Sequence, residues 1–149
     1  MTTLFARNDS AKEYSPMFRV SNEEAREINL KGFGVFHAVN EFHWERIQKN
    51  GKGRTIENIS KINYWTVESD SLSIDEQLEK INDFCSPTQV IRSKKSLHVY
   101  WGALNGTLEA YRTIQEGLCK IFCGDAALKN PAQVLRAPGF YHMKNPNDP

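Results

Sequence analysis

The sequence predicts an α+β protein in which helices pack against an open, mixed or antiparallel sheet of about four to six strands. Short segments rich in β-branched and aromatic residues are interspersed with amphipathic helical segments. Two β-rich segments, residues 88–92 and 97–104, are joined by the short turn sequence Ser-Lys-Lys-Ser, which is typical of a hairpin. Because hairpin strands are antiparallel, this pattern favours the α+β class over a doubly wound parallel sheet.

The composition is that of an ordinary globular protein, and we expect one domain over residues 1–149. Nineteen Lys and Arg against 18 Asp and Glu give a net charge of +1, so any anion-binding site must be local. No apolar run is long enough to span a membrane, and the N-terminus lacks the apolar core of a signal peptide. Three cysteines without CxxC spacing indicate reduced thiols. These features predict a cytoplasmic protein with no membrane partner.

The first third of the chain predicts one helix and one strand. Residues 1–20 have no clear hydrophobic period, so we expect an irregular lead-in. The S-x-x-E pattern at Ser21 is a capping box that begins a short helix, and Gly32 is suited to end it. Residues 33–39 are apolar on both faces, as in a central strand. Residues 40–54 predict a loop with one helical turn.

The middle of the chain predicts a strand followed by a helix. Residues 62–70 have the β-branched and aromatic content of a strand. A second capping box at Ser73 begins a helix, and Pro87 lies just past its end. The apolar stripe predicted for this helix consists of Ile74, Leu78, Ile81 and Phe84.

Residues 107–122 carry the clearest helical periodicity, and Gly124 ends this helix. A further helical turn is predicted just after Asp125, and residues 145–149 form a tail. The sequence leaves open that a longer polypeptide was cut there. The apolar stripe predicted for the helix consists of Leu108, Tyr111, Ile114, Leu118, Ile121 and Phe122.

Two carboxylates, Glu68 and Asp70, lie at positions i and i+2 of the predicted strand 62–70. Strand alternation would send both side chains to the same face, where they could bind one hard cation. Mg²⁺ prefers oxygen ligands and is commonly held by one or two carboxylates together with substrate phosphates. The alternative is that two acidic residues mark the solvated end of an edge strand.

The second predicted hairpin strand carries a hydroxyl and an imidazole at the same spacing. Alternation sends Leu97, Val99 and Trp101 to an apolar face and turns Ser96 and His98 away from it. A hydroxyl and a neutral imidazole on that face could bind a phosphate oxygen. The alternative is an exposed polar face of a half-buried hairpin.

Four basic residues and one acid complete the set of candidates. Lys94 and Lys95 lie in the hairpin turn, where they attract phosphates or simply solvate the loop. The R-A-P-G turn that begins at Arg136, followed by Lys144, supplies a planar guanidinium fork and a second cation for phosphate. An ordinary surface turn is the alternative. Asp125 is either a third metal-binding carboxylate or the N-cap of the turn after it.

Taken in order, these motifs resemble the catalytic domain of archaeo-eukaryotic-type primases, in particular the phage and plasmid replication primases and primase-polymerases. The matching motifs are Y-W-T-V-E-S-D at 64–70, S-L-H at 96–98 before an aromatic strand, and R-A-P-G at 136–139 followed by Lys144. Members of this family share a hydrophobic-D-x-D motif, an S-x-H motif before an aromatic strand, and then an acid and an R-x-P-G-x4-K ending. The resemblance extends over about residues 33–144.

The resemblance implies an RRM-like primase catalytic core with a nucleotidyl-transfer site. It assigns Glu68 and Asp70 to a Mg²⁺ or Mn²⁺ site, with Asp125 as the third acid. His98 and Ser96 match the motif that contacts the phosphates of the incoming nucleotide. Two divalent ions would activate a 3′-hydroxyl and stabilise the leaving pyrophosphate.

The resemblance also implies substrates and partners. Arg136 and Lys144 match basic positions that face phosphate or template. The expected substrates are nucleoside triphosphates and a single-stranded DNA template, and a replicative helicase is an expected partner. The implied role is that of a DNA primase or primase-polymerase in phage or plasmid replication.

Two departures from the family pattern keep other functions open. The first acid is Glu68 where the family usually has Asp, and the turn before the histidine holds Lys94 and Lys95 instead of a small, glycine-containing segment. A longer carboxylate shifts a bound metal, and a shift near 1 Å can reduce the rate by about a hundredfold. One alternative is therefore a catalytically silent primase-like module that binds single-stranded nucleic acid or a replication partner. A metal-dependent nuclease that uses the same acids is another.

Overall fold

A computed structural model describes residues 3–11 and 15–145. The chain divides into two compact units, which are unit 1 (Met1–Ala38, Phe42–Asn58 and Val134–Pro149) and unit 2 (Val39–Glu41 and Ile59–Gln133). The helices are α1 (Asn22–Asn29), α2 (Ile74–Asp83) and α3 (Leu108–Ile121). The strands are β1 (Leu4–Asn8), β2 (Phe18–Val20), β3 (Phe33–Ala38), β4 (Glu41–Phe42), β5 (Ile59–Val67), β6 (Gln89–Arg92), β7 (Leu97–Gly106) and β8 (Val134–Arg136).

The predicted α+β class is confirmed, but the strands are divided between two sheets. One sheet has the order β2-β1-β3-β8 and the other has the order β4-β5-β7-β6. The described pairings of β1 with β2 and β3, of β3 with β8, and of β7 with β5 and β6 are antiparallel. The prediction of a single sheet is wrong. Local β-propensity marks segments as strands but does not specify which strands pair.

The sheet of unit 1 contains two strands that the sequence pattern does not predict. Strands β1 and β2 lie within residues 1–20, for which an irregular lead-in was the wrong expectation. Leu4, Phe5 and Ala6 are all buried, so β1 shows no alternation between apolar and polar residues that would mark it as a strand. Its pairing with β3, nearly thirty residues away, decides its conformation.

Helix α1 begins at the predicted capping box. The Ser21 hydroxyl accepts a hydrogen bond from the Glu24 backbone N–H, and the Glu24 carboxylate accepts one from the Ser21 N–H. Gly32 has φ +95° just past the helix, a conformation that glycine adopts without strain. Ala25 of this helix packs with Leu4 and Val35 in the apolar core of unit 1.

The core of unit 2 lies between its sheet and the helices α2 and α3. The predicted alternation in β7 is confirmed, because alternate residues of that strand enter the core. The buried members of this core are Val67, Ile81, Leu97, Val99, Trp101, Leu118 and Phe122.

Strand β5 differs from the predicted strand 62–70 at both ends. It begins at Ile59 and ends at Val67, and its register with β7 shifts between Ile62 and Tyr64. Regular alternation therefore does not extend to Asp70, which lies in a bend and is exposed. The sequence pattern of alternating polar residues continues past Val67, but no pairing with β7 is described beyond that residue.

Both helices of unit 2 lie close to their predicted bounds. The residues that each helix buries, however, are not the same set as its predicted apolar stripe. Helix α2 begins at the capping box of Ser73 and Glu76. Two buried glutamines, Gln77 in α2 and Gln115 in α3, occupy core positions that apolar periodicity does not count. The predicted stripe residues that are instead exposed are Leu78, Phe84, Leu108, Ile114 and Ile121.

The remaining elements are short. The turn expected within residues 40–54 is a 3-10 helix at Trp44–Arg46, and the turn after Asp125 is one at Ala126–Lys129. Within residues 3–11 and 15–145, no helix has the length and apolar character needed to cross a membrane.

Candidate active site

The end of β5 and the start of β7 bring three predicted site residues together in unit 2. Val67 is paired with Val99, so Glu68 follows β5 beside the position of His98 in β7. The Ser96 hydroxyl donates a hydrogen bond of 3.1 Å to Glu68 Oε1, and His98 Nε2 lies 3.1 Å from the same oxygen. One carboxylate oxygen thus joins the S-x-H motif to the acidic motif.

This cluster is largely withdrawn from solvent. Ser96 is 1% exposed and His98 is 3% exposed, whereas the Glu68 side chain retains 24% of its exposure. The interpretation of Ser96 and His98 as an exposed polar face is therefore wrong. They turn away from the apolar core, as alternation predicts, but other groups cover that face as well. Lys94 and Lys95, in the turn beside them, are exposed.

The His98 ring has one satisfied nitrogen and one unsatisfied nitrogen. Nδ1 is buried and has no hydrogen-bond partner in the part of the chain that the structure describes. A neutral ring that donates from Nε2 to Glu68 presents Nδ1 as an acceptor. Most buried polar nitrogens in proteins have a partner, so this one suits a donor supplied by a ligand or by water.

The three candidate carboxylates do not form one cluster. Asp70 makes no hydrogen bond or ion pair within the described residues. Asp125 Oδ1 accepts a hydrogen bond of 2.9 Å from the Ala127 N–H, as the N-cap alternative predicts, while the Asp125 backbone N–H donates to the Glu68 carbonyl oxygen at 2.8 Å. Among residues 3–11 and 15–145, no three His, Cys, Asp or Glu side chains are arranged to hold one metal ion.

A buried amide from α2 holds both halves of this cluster. Gln77 Nε2 donates to the carbonyl oxygens of Ser69 at 3.2 Å and Leu72 at 2.7 Å, on either side of Asp70. Gln77 Oε1 accepts a hydrogen bond of 2.9 Å from the backbone N–H of Leu97, between Ser96 and His98. The residue therefore connects the backbone of the acidic segment to the backbone of the S-x-H motif.

Helix α3 holds the strand that leads into the cluster. The Gln115 side chain donates to the Thr66 carbonyl oxygen and accepts a hydrogen bond from the Thr66 N–H. Neither glutamine is predicted from the sequence pattern, because apolar periodicity does not count polar residues as part of a buried stripe. The available signal was a glutamine at helical spacing from core residues, such as Gln77 between Ile74 and Ile81.

Tyr100 adds a protonated phenol next to the acidic residue. Burial raises the pKa of Tyr100 above its usual value, and the negative charges of Glu68 and of ionised Tyr64 raise it further. The Tyr64 ring packs edge-on against Tyr100 with the ring centroids 5.8 Å apart. Tyr100 therefore remains neutral at physiological pH and does not compete with Glu68 for a cation.

The basic residues predicted near the C-terminus lie in unit 1. Arg136 in β8 donates from one terminal nitrogen to Asp9 Oδ2 at 2.6 Å, so its guanidinium has a partner within the unit. Lys144 is exposed. Burial lowers the pKa of His142, and the positive charges of Arg136 and Lys144 lower it further.

Two solved structures are similar to this chain. The AEP domain of the cyanophage S-2L primase-polymerase has a TM-score of 0.75 and 19% identity, over 96% of this chain and 75% of that one. The chain has a primase fold. The primase RepB′ has a TM-score of 0.61 and 15% identity, over 96% of this chain and 46% of that one, so this chain spans less than half of RepB′. No protein-family model and no curated protein sequence matches the chain.

The fold resemblance suggested by the motifs is confirmed by these structures. At identities of 19% and 15% the similarity shows the fold alone. The similarity therefore assigns no roles to the site residues, and those roles are inferred from the geometry of this chain.

Proposed function

We propose that this chain is a primase-like nucleotidyltransferase, a DNA primase or primase-polymerase that acts in the replication of phage or plasmid DNA. The observation that carries the proposal is the contact of Glu68 with Ser96 and His98. These residues belong to two separate motifs of the resemblance, and they meet in a primase fold. The proposed setting is cytoplasmic, with a replicative helicase as a partner.

The polar groups of unit 2 are suited to bind an incoming nucleoside triphosphate. The unpartnered Nδ1 of His98 can accept a hydrogen bond from a protonated phosphate or from a bridging water, and the Ser96 hydroxyl, which donates to Glu68 here, would turn to donate to a phosphate oxygen. Lys94 and Lys95 are exposed beside them and offer positive charge. Arg136 and Lys144 are proposed as further contacts to substrate phosphate or to a single-stranded template.

Glu68 and Asp70 are the residues that would hold Mg²⁺ or Mn²⁺, while Asp125, which caps the turn after it, is left out of the proposed site. Their oxygen donors suit a hard cation, and the Asp70 carboxylate is exposed and has no partner in the described part of the chain. A site of two carboxylates fits Mg²⁺, which usually keeps several waters and binds substrate phosphates. When bound, such an ion neutralises triphosphate charge and lowers the pKa of an attacking hydroxyl.

Primer synthesis by the Asp70→Ala variant tests this proposal. With a single-stranded template, nucleoside triphosphates and Mn²⁺ or Mg²⁺, we expect product from the wild type and a loss of at least about a hundredfold in the variant. The fold should remain intact, because an exposed side chain is removed. Asp83→Ala, an equally exposed acid, is the matched control. Unchanged yield from Asp70→Ala would reject the metal-site assignment.

A second candidate function is a catalytically silent module that binds single-stranded nucleic acid. One observation favours it. Glu68 is the partly buried member of the predicted metal ligands, and its Oε1 already accepts a hydrogen bond from Ser96 and lies next to His98, so that oxygen is less available to a metal ion. Absence of product from the wild type, with strand binding intact, would support this function. Degradation of the template without nucleotides would instead indicate a nuclease.

A further inference from the structure

A second polar cluster lies in unit 1, on the sheet face opposite the one that α1 covers. The register of the sheet pairs Arg7 with Gly34, and Phe36 with both Phe5 and Arg136. Directly paired residues project to the same face of a sheet, so these five residues share a face. The alternate residues of these strands, such as Leu4 and Val35, project to the opposite face and pack against α1.

Arginine side chains cover the aromatic rings on this face. The Arg7 Cζ lies 5.2 Å from the centroid of the Phe36 ring, and the Arg136 Cζ lies 5.0 Å from it. The Arg54 Cζ lies 5.6 Å from the centroid of the Phe5 ring. Guanidinium groups at this distance are attracted by the ring face, which restricts their orientations before any ligand arrives.

One buried carboxylate lies between two of these guanidinium groups. The Asp9 side chain is 0% exposed, its Oδ2 accepts the hydrogen bond from Arg136, and its Oδ1 lies 3.6 Å from a terminal nitrogen of Arg7. Because one carboxylate lies between two arginines, these three side chains together retain a net positive charge. The side chains of Arg7 and Arg136 are 32% and 22% exposed, so a ligand can reach them.

Gly34 makes room for this arrangement. A Cβ atom at residue 34 would lie 2.5 Å from Asp9 Oδ2, closer than a side chain allows. The carboxylate therefore approaches the backbone of β3 only because residue 34 is glycine. Gly34 thus leaves the space that Asp9 occupies, and the contacts with Arg136 and Arg7 hold the carboxylate there.

We propose that Arg7 and Arg136 form a phosphate-binding site, and that Asp9 is the positioning residue that orients Arg136. The ligand is the phosphate group of a nucleoside triphosphate or of a single-stranded nucleic acid backbone, since planar guanidinium groups bind phosphate in a bidentate manner. This inference extends the proposed function, in which Arg136 already contacts substrate, and adds Arg7 and Asp9 to it.

Binding measurements without divalent metal test the site separately from catalysis. The probes are a fluorescent nucleoside triphosphate and a fluorescent oligothymidylate, each titrated with wild type, Arg7→Gln and the control Arg112→Gln. Arg112 is exposed and pairs with Glu116 on α3 in unit 2. We expect Arg7→Gln to weaken at least one probe by about tenfold and Arg112→Gln to change neither by more than about twofold.

The pattern of the loss identifies the source of the phosphate. A loss confined to the triphosphate indicates a nucleotide site, and a loss confined to the oligothymidylate indicates a strand-backbone site. Equal affinities of Arg7→Gln and Arg112→Gln for both probes would overturn the proposal, as would a wild type that binds neither. These binding measurements do not depend on primer synthesis. If the chain binds the probes but makes no primer in the separate synthesis assay, the polymerase function is rejected and the phosphate site is not.

Asp9→Asn separates positioning from simple charge. The substitution increases the net positive charge of the cluster. If Asp9 acted only by repelling phosphate, Asp9→Asn would bind the probes more tightly. A positioning role predicts binding weakened by about threefold or more, because Arg136 loses its ionic partner. Arg136→Lys, which keeps the charge but loses the planar fork, should weaken binding similarly and serves if Asp9→Asn does not fold. Tighter binding by Asp9→Asn, or unchanged binding by Arg136→Lys, would contradict the assignment.

Discussion

The two units each place one acidic side chain beside an antiparallel sheet, but they surround it differently. In unit 1, Asp9 is fully buried and its partners are the charged side chains of Arg7 and Arg136. In unit 2, Glu68 is partly exposed and its contacts include the hydroxyl of Ser96 and the imidazole of His98. The carboxylate of Asp9 is therefore compensated by guanidinium groups and closed to solvent, whereas part of the Glu68 side chain remains open to solvent.

The difference follows from the cost of removing a carboxylate from water. A fully buried carboxylate requires an opposite charge, and it stabilises the fold only while that charge remains. A carboxylate with 24% exposure keeps part of its hydration, so the cost of removing it from water is smaller. Asp9 is thus suited to a structural and positioning role, and Glu68 to ligand binding.

The largest effect is expected from removing the amide that holds the Glu68 segment. Gln77→Leu leaves the Leu97 N–H and the carbonyl oxygens of Ser69 and Leu72 without their partner. We expect the free energy of unfolding to fall by about 3 kcal/mol, measured by urea denaturation. Gln89→Leu, an exposed glutamine of β6, should change it by less than about 0.5 kcal/mol. Similar losses in both variants would show that the Gln77 bonds contribute little.

The charged pair of unit 1 should produce the next largest effect. Asp9→Asn preserves the shape of the side chain but removes the charge that Arg7 and Arg136 share. We expect a loss of about 2 kcal/mol in urea denaturation, below the value for a fully buried pair because both arginines are partly exposed. Asp83→Asn at an exposed position is the control. No loss would mean that the arginines are equally well solvated without Asp9.

The same chemical change in unit 2 should have a smaller effect. Glu68→Gln keeps an oxygen that can accept from Ser96 but removes the charge that strengthens its contacts with Ser96 and His98. We expect a loss of about 1 kcal/mol, with Glu79→Gln as an exposed control. A loss larger than that of Asp9→Asn would reverse the proposed difference between the two carboxylates.

The smallest effect concerns alkaline pH. Burial raises the pKa of Tyr100, and it raises that of Tyr111 to about 12. Above about pH 10 the unfolded chain loses these protons while the folded chain keeps them, so stability is full below that pH and falls above it. Thermal midpoints measured from about pH 9 to 11 should fall less steeply in Tyr100→Phe than in the wild type. An identical slope would show that Tyr100 ionises normally in the folded chain.

Some of the structure was predictable because its signals act between near neighbours. The capping boxes at Ser21 and Ser73 join residues three positions apart, and both helices begin where those boxes predict. The hairpin of β6 and β7 and the alternation within β7 are equally local. The motifs by themselves single out Glu68, Ser96 and His98, and the fold brings these three side chains into contact.

The sequence alone thus determined the α+β class, the helix starts and the identity of residues that meet in unit 2. Only the tertiary structure decided that the strands form two sheets, that β1 lies in the expected irregular lead-in, and that Gln77 joins two motifs. It also decided the contact of Asp9 with Arg136, which lie 127 residues apart. The reason is physical: a buried polar group must find its partner wherever the fold brings one, and local periodicity carries no record of that partner.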